Sequence, residues 1–132
     1  MPAAIDVLHV DDDPSVLDLT EAYLERELDS VAVTNVTDPE TALDRLDEAA
    51  FDCVVSDYDM PAMDGLEFYE SIPERHRKIP FVLYTGKGSE EIASQALNAG
   101  VTGYFQKGGP EQLRRLANRV DQAVEEHRTR AV

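Results

Sequence analysis

The sequence predicts an α/β domain built on a parallel sheet. Short apolar runs alternate with segments of helical periodicity through five rounds, the pattern of successive βαβ units. The 132 residues match a common single-domain size, and 42% apolar content is enough to fill one core. Polar residues also close the apolar runs, with Asp11-Asp12-Asp13 after the first and Asp57 after the third.

Ile5 to Val10 reads as the first strand. Pro14 suits the first turn of a helix, where a missing N–H costs nothing, and Val16, Leu17, Leu19, Tyr23, Leu24 and Leu28 recur at helical spacing. Val31 to Val36 is the second strand. Thr37 or Asp38 caps the next helix, with Pro39 in its first turn and Ala42, Leu43, Leu46, Ala49 and Ala50 on its inner face. Phe51 to Ser56, apolar on both faces, is strand three. Leu66, Phe68, Tyr69 and Ile72 then mark a short helix that ends at Pro73.

Ile79 to Tyr84 is strand four. The fourth helix starts at Ser89 or Glu90, turns Ile92, Ala93, Ala96 and Leu97 inward and stops at Asn98-Ala99-Gly100. Val101 to Gln106 gives strand five. Gly108-Gly109 turn the chain, and Pro110 opens a last helix carrying Leu113, Leu116, Ala117, Val120 and Val124. His127 to Val132 reads as a frayed end, so the expectation is a single domain over 1–132 with its core at about 4–126.

A net charge of −15, from 27 acidic against 12 basic residues, disfavours direct nucleic-acid or anionic-lipid partners. Lys78, Lys87 and Lys107 are the only lysines, a balance like that of proteins from salt-loving organisms. The lone Cys53 reads as a small buried hydrophobe. Without a signal peptide or a membrane-length apolar run, the chain is read as soluble and cytoplasmic.

In an open parallel sheet, ligands sit beyond the carboxyl ends of the strands, where the strand order reverses. Those ends carry Asp11 and Asp12, Asp57, Thr85 and Lys107. Crowded carboxylates cannot all ionise without a compensating cation, and oxygen donors select a hard divalent ion such as Mg2+. A hydroxyl and an ammonium can hold the oxygens of a phosphoryl group carried by one carboxylate. Asp57 is the best nucleophile, because it ends the central strand and faces an open turn.

Val10-Asp11-Asp12-Asp13-Pro14, the run Ser56-Asp57-Tyr58-Asp59-Met60-Pro61-Ala62-Met63-Asp64-Gly65, Thr85-Gly86 and Lys107 together resemble the receiver domain of two-component response regulators. The match covers nearly the whole chain in order. The resemblance implies a flavodoxin-like (βα)5 three-layer sandwich with strand order 2-1-3-4-5. It also implies that Asp57 accepts a phosphoryl group from the phosphohistidine of a sensor histidine kinase or phosphotransfer protein. Mg2+ would be held by Asp12 and Asp57, through water by Asp11, and by the main-chain carbonyl of Asp59. Thr85 and Lys107 would bind the phosphoryl oxygens, while Thr85 and Tyr104 form the switch. A downstream protein effector would read the face of helix four, strand five and helix five, with a homodimer on phosphorylation as one form of output.

The sequence departs from the family where Gly108, rather than proline, follows Lys107, so a trans bond or a glycine-enabled turn is expected there. Asp59 and Lys87 stand two residues after Asp57 and Thr85. Their opposite charges suggest a modest, partly exposed pair that tunes dephosphorylation.

Plain structural readings fit other residues. Asp13 and Asp64 read as helix caps, His9 as a hydrogen-bonded core residue, and His76 and His127 as surface residues. Arg114, Arg115, Arg119, Arg128 and Arg130 read as a solvated face, a set of ion pairs or a protein-docking surface. The competing activity is a magnesium-dependent phosphohydrolase for small substrates that uses an aspartyl nucleophile. The reading adopted is a phosphorylation switch that acts only on itself.

Overall fold

The computed structural model describes residues 4–86, 88 and 90–131. Lys87 and Ser89, both invoked above, lie outside them. Five strands, β1 (Ile5–Val10), β2 (Val31–Val36), β3 (Cys53–Ser56), β4 (Phe81–Thr85) and β5 (Gly103–Gln106), alternate with five α-helices. The helices are α1 (Pro14–Glu27), α2 (Pro39–Glu48), α3 (Gly65–Ser71), α4 (Glu90–Ala99) and α5 (Pro110–Ala131). The strands are all parallel, in the order β2-β1-β3-β4-β5. The order reverses direction between β1 and β3, so their carboxyl ends are where a cleft can open.

Side-chain alternation along the strands creates two apolar faces, and each is covered by helices. Leu8, Val10, Val36, Val54 and Leu83 pack with Ala42 and Leu46 of α2, Leu66 and Phe68 of α3 and Ala96 of α4. Phe81 sits 5.7 Å from Phe68 and 4.8 Å from Tyr69, ring centre to ring centre, which locks α3 to the sheet. On the opposite face Val7, Cys53, Val55, Val82 and Tyr84 meet Leu113, Leu116, Val120 and Val124 of α5, with Val16 and Tyr23 of α1 beside them. Burial pushes the Cys53 thiol up to about 12, in keeping with an inert core residue.

Several expectations change at element ends. Strand β3 starts at Cys53 rather than Phe51, and β4 starts at Phe81 because Pro80 has no N–H to give the ladder. Val101 still bonds back to Ala96 at the end of α4, so β5 starts later than expected. Gly100 takes φ 96 at that stop, as a left-handed cap requires. Ala49 and Ala50 are exposed rather than inward, since α2 ends at Glu48 and Ala49 is extended.

Two leucines assigned by spacing face outward. The buried stripe of α1 is Leu17, Thr20 and Leu24, which leaves Leu19 59% exposed, and α4 buries only Ala96 fully while Leu97 is 72% exposed. Helix α5 continues to Ala131, past the expected core limit at about 126. Arg128 holds it by donating to the Ala4 carbonyl at 2.9 Å and to Asp52 at 3.0 Å, and Asp52 also accepts from the Asp6 N–H. His76 and His127 are half-buried, and His76 lies 3.2 Å from Asp47.

Leu116→Ala removes a fully buried side chain between α5 and the sheet and is expected to cost about 2–5 kcal/mol. Leu97→Ala, on the solvent side of α4, is expected to stay within ~0.5 kcal/mol. Urea unfolding of the two variants at one fixed salt concentration checks the contrast.

Candidate functional site

Strands β1 and β3 run side by side with Val10 opposite Ser56, so the residues that follow leave the sheet together. Backbone pairing persists one step further, with Asp11 N–H donating to Val36 O at 3.1 Å and Asp57 N–H to Val10 O at 2.9 Å. The ladder thereby fixes both carboxylates before any side chain chooses a rotamer. Asp11 is fully buried, Asp57 nearly so, and Asp12 exposed. One carboxylate oxygen from each of Asp11, Asp12 and Asp57 lies within 4.8 Å of the others.

Lys107 reaches this cluster from the end of β5, two strands away from β3. Its backbone N–H is tied to the Thr85 carbonyl at 2.8 Å, and its long side chain places Nζ 2.6 Å from Asp11 and 3.2 Å from Asp57. The Lys107–Gly108 bond is trans, as are all peptide bonds among the described residues, and Gly108 keeps a negative-side φ. No proline is needed to deliver the ammonium.

Electrostatics follow from that placement. Burial drives the Asp11 carboxyl above its usual range, with Lys107 and the Asp13 N–H opposing and the Asp57 charge adding to the rise. Burial alone would lower Lys107, but its pairs with Asp11 and Asp57 prevail and raise it, so it stays charged. Three carboxylates face one ammonium, leaving about two uncompensated negative charges.

The loop after Asp57 is shaped by backbone contacts. Asp57 accepts from the Tyr58 N–H at 2.8 Å, the Ser56 hydroxyl donates to the Asp57 carbonyl at 2.8 Å, and Gly65 N–H donates to Tyr58 O at 2.7 Å. A Cβ on Gly65 would lie 2.4 Å from the Asp57 carbonyl oxygen, so only glycine permits this return. Spacing alone showed the Asp64-Gly65 doublet but not this close approach. Ala62 takes φ 75 while Met63 N–H donates to Pro61 O at 2.9 Å, a strained three-residue turn.

The remaining site residues fall as follows. Thr85 is buried at the end of β4, and Tyr104 is half-buried on β5 opposite Leu83, against the core. Asp59 is exposed, and its carboxylate is not in the acidic trio. Asp13 caps α1 by accepting from Ser15 N–H, and Asp64 caps α3 in a reciprocal box with Glu67, as expected for both. A cavity of about 590 Å³, lined by Tyr69, Phe81, Gly100 and Thr102, opens at the other end of β4.

The family model of the response regulator receiver domain matches residues 7–121. The chain belongs to this family. As a receiver it is 30% identical over 95 residues to the bacterioopsin transcriptional activator of Halobacterium salinarum, covering 72% of this chain and 14% of that protein. It is 30% identical over 115 residues to the transcriptional regulatory protein FixJ of Bradyrhizobium diazoefficiens, covering 87% of this chain and 54% of FixJ. The receiver thus spans about half of one relative and a small part of the other. A CheY-like receiver domain protein from Methanospirillum hungatei superposes with a TM-score of 0.82 at 26% identity, covering 97% of this chain and 99% of that one. Fold and family therefore agree with the expectation, and so does the flavodoxin-like strand order.

Lys107→Met strands two buried or nearly buried carboxylates and is expected to lower stability by on the order of 3 kcal/mol without divalent cations. Asp12→Asn removes one repelling charge and is expected to raise the melting temperature in the same buffer. Paired thermal melts in chelator check both signs.

Proposed function

We propose that this receiver is a phosphorylation switch in which Asp57 is the phosphoacceptor. The observation that carries the reading is the convergence of Asp11, Asp12 and Lys107 on Asp57 at the carboxyl end of the sheet. An Asp57 oxygen attacks the phosphorus of a phosphohistidine, the P–N bond breaks, and the imidazole nitrogen leaves with the bonding pair. The donor is a sensor histidine kinase or a phosphotransfer protein.

The all-oxygen donor set and the uncompensated charge fit Mg2+. Asp12 and Asp57 would hold it directly, Asp11 through water, and Asp59 through its main-chain carbonyl. Bound there, the ion neutralises charge on the phosphoryl oxygens as they approach. Lys107 supplies the second neutralising charge, and Thr85, buried at the end of β4, is assigned as a hydroxyl donor to the phosphoryl oxygens.

Phosphorylation adds charge and acceptor oxygens beside Thr85, and Thr85 and Tyr104 pass the change to the face of α4, β5 and α5. Leu97 of α4 is strongly exposed. A protein effector reads that face, and phosphorylation-driven homodimerisation is one form such reading takes. Self-phosphorylation and self-dephosphorylation are the only chemistry assigned to the domain. We place it in the cytoplasm, and no helix among the described residues is long and apolar enough to cross a membrane.

Incubation with acetyl phosphate and Mg2+ is expected to add one phosphoryl group by intact mass, and Asp57→Asn or chelator is expected to abolish it. No adduct on the native chain in high salt would overturn the assignment. Steady turnover of p-nitrophenyl phosphate would instead favour the phosphohydrolase reading.

Asp59 and Lys87 are assigned to tuning the lifetime of the phosphoryl group. Asp59→Asn and Lys87→Ala are each expected to change its half-life severalfold by time-resolved intact mass. Unchanged half-lives in both would remove the pair from the account.

A further inference from the structure

Behind the acidic site lies a group of buried polar atoms that no protein partner satisfies. His9 is fully buried in β1, yet neither ring nitrogen has a hydrogen-bond partner among the described residues, which corrects the expectation of a bonded core histidine. The Thr20 hydroxyl and the Asn35 side-chain oxygen are unpartnered in the same way. Buried polar atoms left unpaired are rare in folded proteins, because each loses its water without replacement.

These atoms belong to one place. His9 is in register with Asn35 on β2, and neighbouring strands stand roughly 4.8 Å apart. Val10 and Val36, next along each strand, pack on the α2–α4 face, so His9 and Asn35 point to the face covered by α1 and α5. Helix α1 is fastened directly above them, since Asn35 Nδ2 donates to Glu21 at 2.6 Å. Thr20 precedes Glu21 and belongs to the inward stripe of the helix with Leu17 and Leu24.

Their hydrogen-bonding capacities are complementary to water. The fully buried His9 ring, as a neutral imidazole, has one N–H donor and one bare nitrogen acceptor. Asn35 offers an acceptor oxygen, and Thr20 offers a rotatable hydroxyl that donates and accepts. A single molecule with two donors and two acceptors can bridge all three residues, and internal waters typically make about three such bonds.

We propose that His9, Thr20 and Asn35 form an internal hydration site that holds at least one ordered water between α1 and the sheet. The site is two residues upstream of Asp11 on β1, and Lys107 is near enough for its charge to act on His9. The water therefore fastens the middle of α1, the helix that follows directly from the Asp11-Asp12-Asp13 turn, to β1 and β2 beside the acidic trio.

Thr20→Val gives opposite results in the wet and dry cases. With the water in place, the isosteric valine breaks a bridge and strands its partners, so the melting temperature falls by about 3 °C or more. In a dry pocket, the same change deletes an unpaired buried hydroxyl, and an unchanged or raised melting temperature overturns the proposal. A high-resolution crystal structure of the native chain provides the second measurement. Density within hydrogen-bond distance of Thr20 Oγ1 and a His9 ring nitrogen is the expected result, and direct protein contacts or no density there would sink the idea.

Discussion

Mutual repulsion among carboxylates forced to one end of a sheet is the interaction around which this molecule is arranged. Parallel pairing of β1 with β3 delivers Asp11 and Asp57 side by side, and the turn after β1 adds Asp12. In water such a cluster would relax by moving apart or by taking up protons. Here the backbone is fixed by ladder bonds at both aspartates, so relief has to come from a cation. Lys107 supplies part of it by reaching across β4 from the sheet edge, at 2.6 and 3.2 Å from two of the acids.

Holding that arrangement explains much of the remaining structure. Two apolar layers clamp the sheet from both faces, and the carboxyl ends of the strands cannot drift without breaking that packing. The return loop is equally constrained, with Gly65 pressed onto the Asp57 carbonyl, Ala62 in a left-handed conformation and the Asp64–Glu67 box anchoring α3. Strain and repulsion are thus concentrated at one end of an otherwise well-packed domain, as is common at functional sites.

The receiver family accounts for the fold and the class of function, while the chain's own departures are settled locally. Glycine after Lys107 did not disturb the ammonium, because the Thr85 carbonyl fixes the lysine backbone and the flexible stem completes the reach. Periodicity placed Leu113, Leu116, Val120 and Val124 correctly in the core. It misjudged Leu19 and Leu97, because helical spacing marks a stripe and cannot say how wide a neighbour will cover it. It gave no sign of the anchors of Arg128, the Ala4 carbonyl and Asp52, since both are far away in sequence.

By itself, the sequence determined the alternation of elements, the capping roles of Asp13 and Asp64, and the placing of Asp11, Asp12, Asp57, Thr85 and Lys107 at or just past strand ends. Those are consequences of local patterns and of where strands end. Only the tertiary structure decided which carboxylates Lys107 meets, that Gly65 must lack a side chain, and that His9, Thr20 and Asn35 carry buried polar atoms with no partner among the described residues. Each of these depends on distances between strands and helices that are far apart in the chain, and a linear pattern carries no such distances.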